Sequence, residues 1–159
     1  MPEKFKELKP PRGLARLGFR LPILLYRMGL GNLLGSRFIL LTHKGRKSGL
    51  ARKTVLEVVR YDIEKTIFIV AAGFGTESDW YQNIRLTPQV TVQNRNHRWE
   101  MIARFLTPEQ AGEEMLDYAR RYPVAFRELA SFMGYHLNRT QEDIRSMGKT
   151  LPMVSFQLE

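Results

Sequence analysis

Five runs with the signature of short β-strands lie between Phe38 and Phe105, joined mostly by short polar turns. They are Phe38–Thr42, Thr54–Val59, Thr66–Ala71, Val90–Gln93 and Trp99–Phe105. Most are rich in β-branched or aromatic residues, and turn-forming residues separate them. Asp62–Lys65 reads as the turn before the third run, and Asn94–Asn96 as the tip of a hairpin joining the last two. Strand–helix–strand alternation is missing, which argues against a parallel doubly wound sheet. A small antiparallel barrel suits the pattern.

Helical signals are confined to the remainder. Ser78–Leu86 follows a Gly73-Phe74-Gly75 turn and stops before Pro88, with Ser78 or Thr76 as the expected cap. Thr107-Pro108-Glu109 opens a second helix that runs to about Arg121: a capping hydroxyl, a proline in the first turn and an acidic residue beside it. Further helices are expected over Pro123–Met133 and Gln141–Met147. Leu151–Leu158 alternates as a closing strand. The first 36 residues read as an arm followed by an amphipathic helix, and 37–159 as one barrel domain with a helical insert. From Leu14 to Leu34, Arg16, Arg20 and Arg27 interleave with apolar positions, and Arg12 precedes them. Such a segment can cover one end of a barrel, roof an apolar channel or rest on a membrane surface.

A chain of 159 residues with 43% hydrophobic content suits a single packed domain. It has no cysteine, so disulfides and thiolate metal sites are excluded. No apolar run reaches the roughly 18–20 residues that span a bilayer. These features lead to the expectation of a cytoplasmic protein, with peripheral contact on the inner face of the membrane through residues 14–34 as an option. The net charge of +9 is uneven: residues 1–60 hold fourteen Lys/Arg and three Asp/Glu, and the rest is slightly acidic. Nucleic acid, anionic lipid or a multiply anionic small molecule would each answer such a field.

The densest charge lies between the first two strand runs, in His43-Lys44-Gly45-Arg46-Lys47-Ser48-Gly49-Leu50-Ala51-Arg52-Lys53. Five cations in ten residues repel one another unless an anion joins them. Arginine holds carboxylate or phosphate with two parallel hydrogen bonds, and lysine acts as a point charge. The glycines permit an anion-binding nest of backbone N–H groups. The spacing is not that of a P-loop. The turn Ala72-Gly73-Phe74-Gly75, before a helix N-terminus, is a second place favourable to anions. Trp80 and Tyr81 point different ways on that helix, so one can fill the core while the other stacks on a planar ring. His43, His97 and His136 lack metal-ligand spacing, and no hydrolytic triad or GxSxG elbow is present. Tyr118 and Tyr122 share a helix face and can wall a pocket.

Leu41-Thr42, Gly45-Arg46-Lys47-Ser48-Gly49 and Arg52-Lys53-Thr54, followed by Val70-Ala71-Ala72, Asp79-Trp80-Tyr81-Gln82-Asn83, Pro88-x-Val90 and Leu151-Pro152-Met153-Val154, resemble the deazaflavin (coenzyme F-420)-dependent nitroreductase and quinone reductase family. The pairing of GRKSG with WYxN is the specific part. The resemblance implies an α+β fold that is mainly β, a split β-barrel of the FMN-binding type. It implies coenzyme F-420, an 8-hydroxy-5-deazaflavin carrying a phosphate and an oligoglutamate tail. By analogy Arg46, Lys47, Ser48 and Arg52 hold the phosphate and tail. Lys53, Thr54, Val55, Leu56 and Glu57, with Val70, Ala71, Ala72 and Gly73, line the ring and ribityl chain. Asp79, Trp80, Tyr81, Gln82 and Asn83 close the other side, and Tyr122 is the candidate catalytic tyrosine. The chain departs from the family at Val55, where relatives often carry proline, and in a longer helical insert, Phe126–Lys149.

The implied activity is hydride transfer between reduced deazaflavin and an electron-poor, hydrophobic acceptor such as a quinone, nitro-compound or enone. No strong acid–base pair is needed, because the cofactor carries the difficult chemistry. The expected partners are that small-molecule acceptor and, at most, a second copy in a homodimer; no nucleic acid and no metal are expected. Two other readings use the same residues. One is a nucleic-acid-binding barrel stacking bases on Trp80 and Tyr81, although the cations cluster at one hairpin rather than along a groove. The other is an FMN- or haem-binding split barrel, for which five cations would be excessive.

Overall fold

The computed structural model describes residues 3–4, 35–132, 134–136 and 140–159. Its strands are β1 (Glu3–Lys4), β2 (Phe38–Lys44), β3 (Ala51–Asp62), β4 (Ile67–Ala71), β5 (Gln89–Asn94), β6 (His97–Phe105), β7 (Tyr135–His136) and β8 (Met153–Gln157). The helices are α1 (Asp79–Leu86), α2 (Pro108–Arg121), α3 (Pro123–Phe132) and α4 (Gln141–Thr150). Six antiparallel strands close a barrel in the order β2-β3-β4-β8-β6-β5, as the split-barrel expectation requires. The amphipathic segment expected over residues 14–34 lies outside the described residues, as does Met133. Of the arm, Glu3–Lys4 pairs with Tyr135–His136.

Alternation along the strands divides the apolar residues between two cores. Ile39, Leu41, Phe68, Val70, Val92, Val154 and Phe156 point inward and are fully buried. Tyr61 stacks on Phe68 with ring centroids 4.1 Å apart. Burying one such phenylalanine contributes roughly 2–3 kcal/mol. The outward residues Val59, Ile69 and Met153 meet Ala111, Met115, Leu116, Tyr118, Ile144 and Met147 from the helices. A register shift between Val58 and Arg60 sends both Val58 and Tyr61 inward, while Val59 joins the helical core.

α2 begins as its sequence dictates. The Thr107 hydroxyl accepts from the Gln110 N–H at 3.2 Å, and the Gln110 side chain accepts from the Thr107 N–H at 2.9 Å. At α4 the Thr140 hydroxyl accepts from the Asp143 N–H at 3.1 Å. Two expectations need correction. Ser78 occupies the N-cap position of α1, but its side chain makes no capping hydrogen bond, and its hydroxyl is buried without a partner. α4 does not end at Met147 but runs through Gly148 to Thr150. There Gly148 lies against Ala111, Gly112 and Met115 of α2, where a Cβ would come within 2.7 Å of each.

Candidate functional site

β3 is twice the length that its β-branched run suggested, and the excess builds the site. Its first residues, Ala51–Glu57, pair with β2, whereas β4 joins β3 only from Val58 onward. β4 ends at Ala71, and the chain leaves the sheet through Ala72–Gly75, where Gly75 adopts a φ of +84° and its N–H bonds the Ala72 carbonyl. The β4-side edge of Ala51–Glu57 therefore has no strand partner among the described residues. A split in the barrel wall results, flanked by the glycine turn and by α1.

The β2–β3 register sorts the basic residues onto two faces. Ile39↔Leu56, Leu41↔Thr54 and His43↔Arg52 are directly opposed and lie on the inner face. Phe38↔Glu57, Leu40↔Val55, Thr42↔Lys53 and Lys44↔Ala51 lie on the outer face. Along the outer face, Lys44 and Lys53 are followed by Val55 and then Glu57. From Lys53 to Glu57 this strip covers about 13 Å at the usual strand rise. Lys44 is exposed beside Lys53, a position readable from the strand alternation.

The connecting loop is locked to the barrel. The Gly45 N–H bonds the Leu50 carbonyl, and the Gly49 N–H bonds the Gly45 carbonyl, both at 2.8 Å; Gly49 needs its φ of +71° to close this turn. The Arg46 N–H donates to Asn83 Oδ1 at 3.0 Å, and the Leu50 N–H to the Ser48 hydroxyl at 3.2 Å. The backbone nest expected from the glycines is thus largely consumed within the protein. What the loop still offers an anion is side chains. Lys47 is exposed at the tip, and Arg52, also exposed, reaches the Ser48 hydroxyl at 3.4 Å. The Arg46 guanidinium turns away, donating to Asn83 Oδ1 at 2.9 Å and to the Asp79 carboxylate at 3.2 Å.

The α1 residues divide by face. Trp80 is in the inner core, so it offers no stacking surface, while Tyr81 is half-buried against Phe105 with ring centroids 5.2 Å apart. Asp79 is exposed, Gln82 bonds the Thr76 carbonyl, and Asn83 is buried. Val70 and Ala72 are buried too, whereas Ala71 and Gly73 are half-exposed beside the split. The Asn83 amide nitrogen lies 3.0 Å from His43 Nδ1. Burial lowers the His43 pKa to about 4, opposed by Asp79 and reinforced by Arg52, so the imidazole is neutral at pH 7.

Tyr122 is not near the basic loop. It terminates α2 at the opposite end of the strip, where Arg37 pairs with Glu57 at 3.1 Å. The Arg37 and Arg121 guanidiniums lie 5.9 and 5.2 Å from the Tyr122 ring centroid, and the residue is 44% exposed. Tyr118 packs behind it at 5.7 Å between centroids. Burial, with Glu57 adding to it, raises the Tyr118 phenol above its usual pKa. The strip thus runs from cations, through Val55, to the Glu57–Arg37 pair beside Tyr122. An extended ligand with an acidic tail and a planar head fits this order of side chains. Among the described residues no cluster of His, Asp or Glu could hold a metal ion, and no helix is long and apolar enough to cross a membrane.

Comparison with known proteins agrees with this architecture. The family model described as F420H(2)-dependent quinone reductase matches residues 26–139. An F420-H2 dependent reductase superposes with a TM-score of 0.52 at 22% identity, covering 76% of this chain and 94% of that one. A domain-swapped dimer gives 0.52 at 20% identity, over 86% and 99%. A conserved hypothetical protein from Mycobacterium tuberculosis gives 0.51 at 15% identity, over 82% and 77%. At these identities the superpositions speak for the fold.

Proposed function

This chain belongs to the F420H(2)-dependent quinone reductase family and is an F-420-dependent oxidoreductase, and we propose that its acceptor is a hydrophobic, electron-poor molecule, a quinone before a nitro-compound or enone. The supporting observation is the strip along the outer face of β2 and β3, beside the open edge of β3, from Lys44 and Lys53 through Val55 to the Glu57–Arg37 pair and Tyr122. When bound, reduced F-420 supplies a hydride from its deazaflavin ring.

In this reading Lys47, Ser48, Arg52 and Lys53 hold the phosphate and glutamate tail. Unpaired β3 backbone groups between Thr54 and Glu57, with Ala71 and Gly73 across the split, face the ring. Tyr81 and Phe105 give an apolar flank that keeps water away. Tyr122, exposed at the end of α2, orients the acceptor and can donate a hydrogen bond to its oxygen. Quinone reduction needs a hydride and a proton, and the chain's part is to hold the acceptor in line and exclude solvent.

The test is titration of the purified protein with F-420 beside FMN, followed by fluorescence. F-420 is expected to bind far more tightly, with an affinity that falls as salt rises. In the double variant Arg46→Ala, Lys47→Ala the affinity drops by about tenfold or more, and the salt dependence flattens. Preference for FMN, or an unchanged affinity in the variant, refutes the assignment of this loop to the coenzyme tail.

A further inference from the structure

Asn83 is 3% exposed, and His43 is 5% exposed. The orientation of the Asn83 amide is fixed by its neighbours. Two groups that can only donate, the Arg46 backbone N–H and the Arg46 guanidinium, point at one end of it at 3.0 and 2.9 Å. That end is therefore the oxygen. The nitrogen end then faces His43 Nδ1 at 3.0 Å and must donate to it. His43 Nδ1 must accept, which makes the imidazole neutral with its proton on Nε2. Were Nδ1 protonated, the amide would have to turn over and would place its NH2 against the two Arg46 donors.

We propose that His43 is a positioning residue for coenzyme capture: its Nδ1 fixes the Asn83 amide, and Asn83 holds Arg46 and so sets the shape of the loop that presents Lys47, Ser48 and Arg52. The inference rests on the reading that this loop grips the acidic tail. It assigns His43 no contact with coenzyme or acceptor. Three elements and the loop meet at this point. β2 contributes His43, β3 contributes Arg52, α1 contributes Asp79 and Asn83, and the loop contributes Arg46. Of these, Asp79 favours a protonated imidazole and Arg52 opposes it, while burial decides for the neutral form. The neutral state that the hydrogen-bond pattern requires is thus the one the surroundings enforce.

The experiment compares the full-length wild type with His43→Leu and His43→Gln. Leucine fills the space and offers no acceptor, whereas the glutamine side-chain carbonyl can accept from Asn83. In His43→Leu, F-420 affinity is expected to fall about tenfold while turnover at saturating coenzyme stays within twofold. Hydrogen exchange at the Arg46 amide is expected to quicken by at least tenfold. His43→Gln restores both. A third variant, Asn83→Asp, turns the contact into one that needs a protonated imidazole, so the His43 ring signals in NMR should titrate at higher pH than in the wild type. Wild-type affinity and wild-type Arg46 exchange in His43→Leu overturn the proposal. So does failure of glutamine to restore either in a folded protein, or an unmoved His43 titration in Asn83→Asp. If the wild type binds no F-420, the coenzyme reading fails on its own, and amide exchange and the His43 titration still decide the role of His43.

Discussion

At the scale of the residue, a buried histidine with a lowered pKa makes stability depend on pH. His43 takes up a proton at about pH 4 in the fold and near 6.5 in the unfolded chain. Between these values the unfolded state binds more protons, so stability rises with pH and is fully present above about 6.5. The difference corresponds to about 3 kcal/mol lost on acidification through this window. Urea midpoints at pH 7 and pH 4.5 should therefore fall more for the wild type than for His43→Gln, which does not titrate. Equal falls would place His43 in contact with water. Tyr122 gives a second residue-scale expectation. In Tyr122→Phe the ring still packs between Arg37 and Arg121, but the hydroxyl is gone. F-420 affinity should stay within twofold, while kcat/KM for a quinone falls by about tenfold, the loss of one hydrogen bond to the reacting molecule. Loss of F-420 affinity instead would move Tyr122 out of the acceptor site.

At the scale of the element, α4 crosses α2 through glycine. A Cβ on Gly148 would meet the Ala111 carbonyl, the Gly112 Cα and the Met115 Cβ, each at 2.7 Å. Two of these neighbours are backbone, so the helices must separate. Gly148→Ala is expected to destabilise the protein by about 1–3 kcal/mol despite the better helix propensity of alanine, read as a lower urea midpoint with an unchanged slope. The same contact explains where the sequence misleads. A glycine late in a helical run reads as its end, yet here it is the close-packed point of a helix that continues. Ser78 misleads in the opposite sense, a capping residue in capping position whose hydroxyl goes unused. Local signals placed every barrel strand except for its ends. β3 began three residues before its β-branched run because Arg52 and Lys53 are held by the ladder to β2, a partner that composition does not announce.

At the scale of the whole molecule, the pairing order was hidden, since β8 from the C-terminus closes the barrel between β4 and β6. Only that long-range closure, with β4 ending at Ala71, leaves the β4-side edge of the first half of β3 without a strand partner among the described residues. The basic loop was legible because its charge density is local. Its division into an outer lysine pair and an inner, internally bonded Arg46 was not, because Asn83 and Asp79 reach it from 33 to 37 residues away. Split and loop together predict how ligand and fold are coupled. A ligand that bridges the unpaired edge, the glycine turn and the loop binds only the closed barrel, so it stabilises in proportion to its occupancy. At one hundred times its Kd, F-420 should add about 2.7 kcal/mol, which for a chain of this size raises Tm by roughly 5–10 °C. Differential scanning fluorimetry with F-420, FMN and an oligonucleotide at equal concentration measures this directly. The shift should appear with F-420 alone and shrink in the Arg46→Ala, Lys47→Ala variant. A comparable shift with FMN would mean that the ring cleft, and not the charged loop, selects the coenzyme. A shift with the oligonucleotide would return the lysine face to nucleic acid.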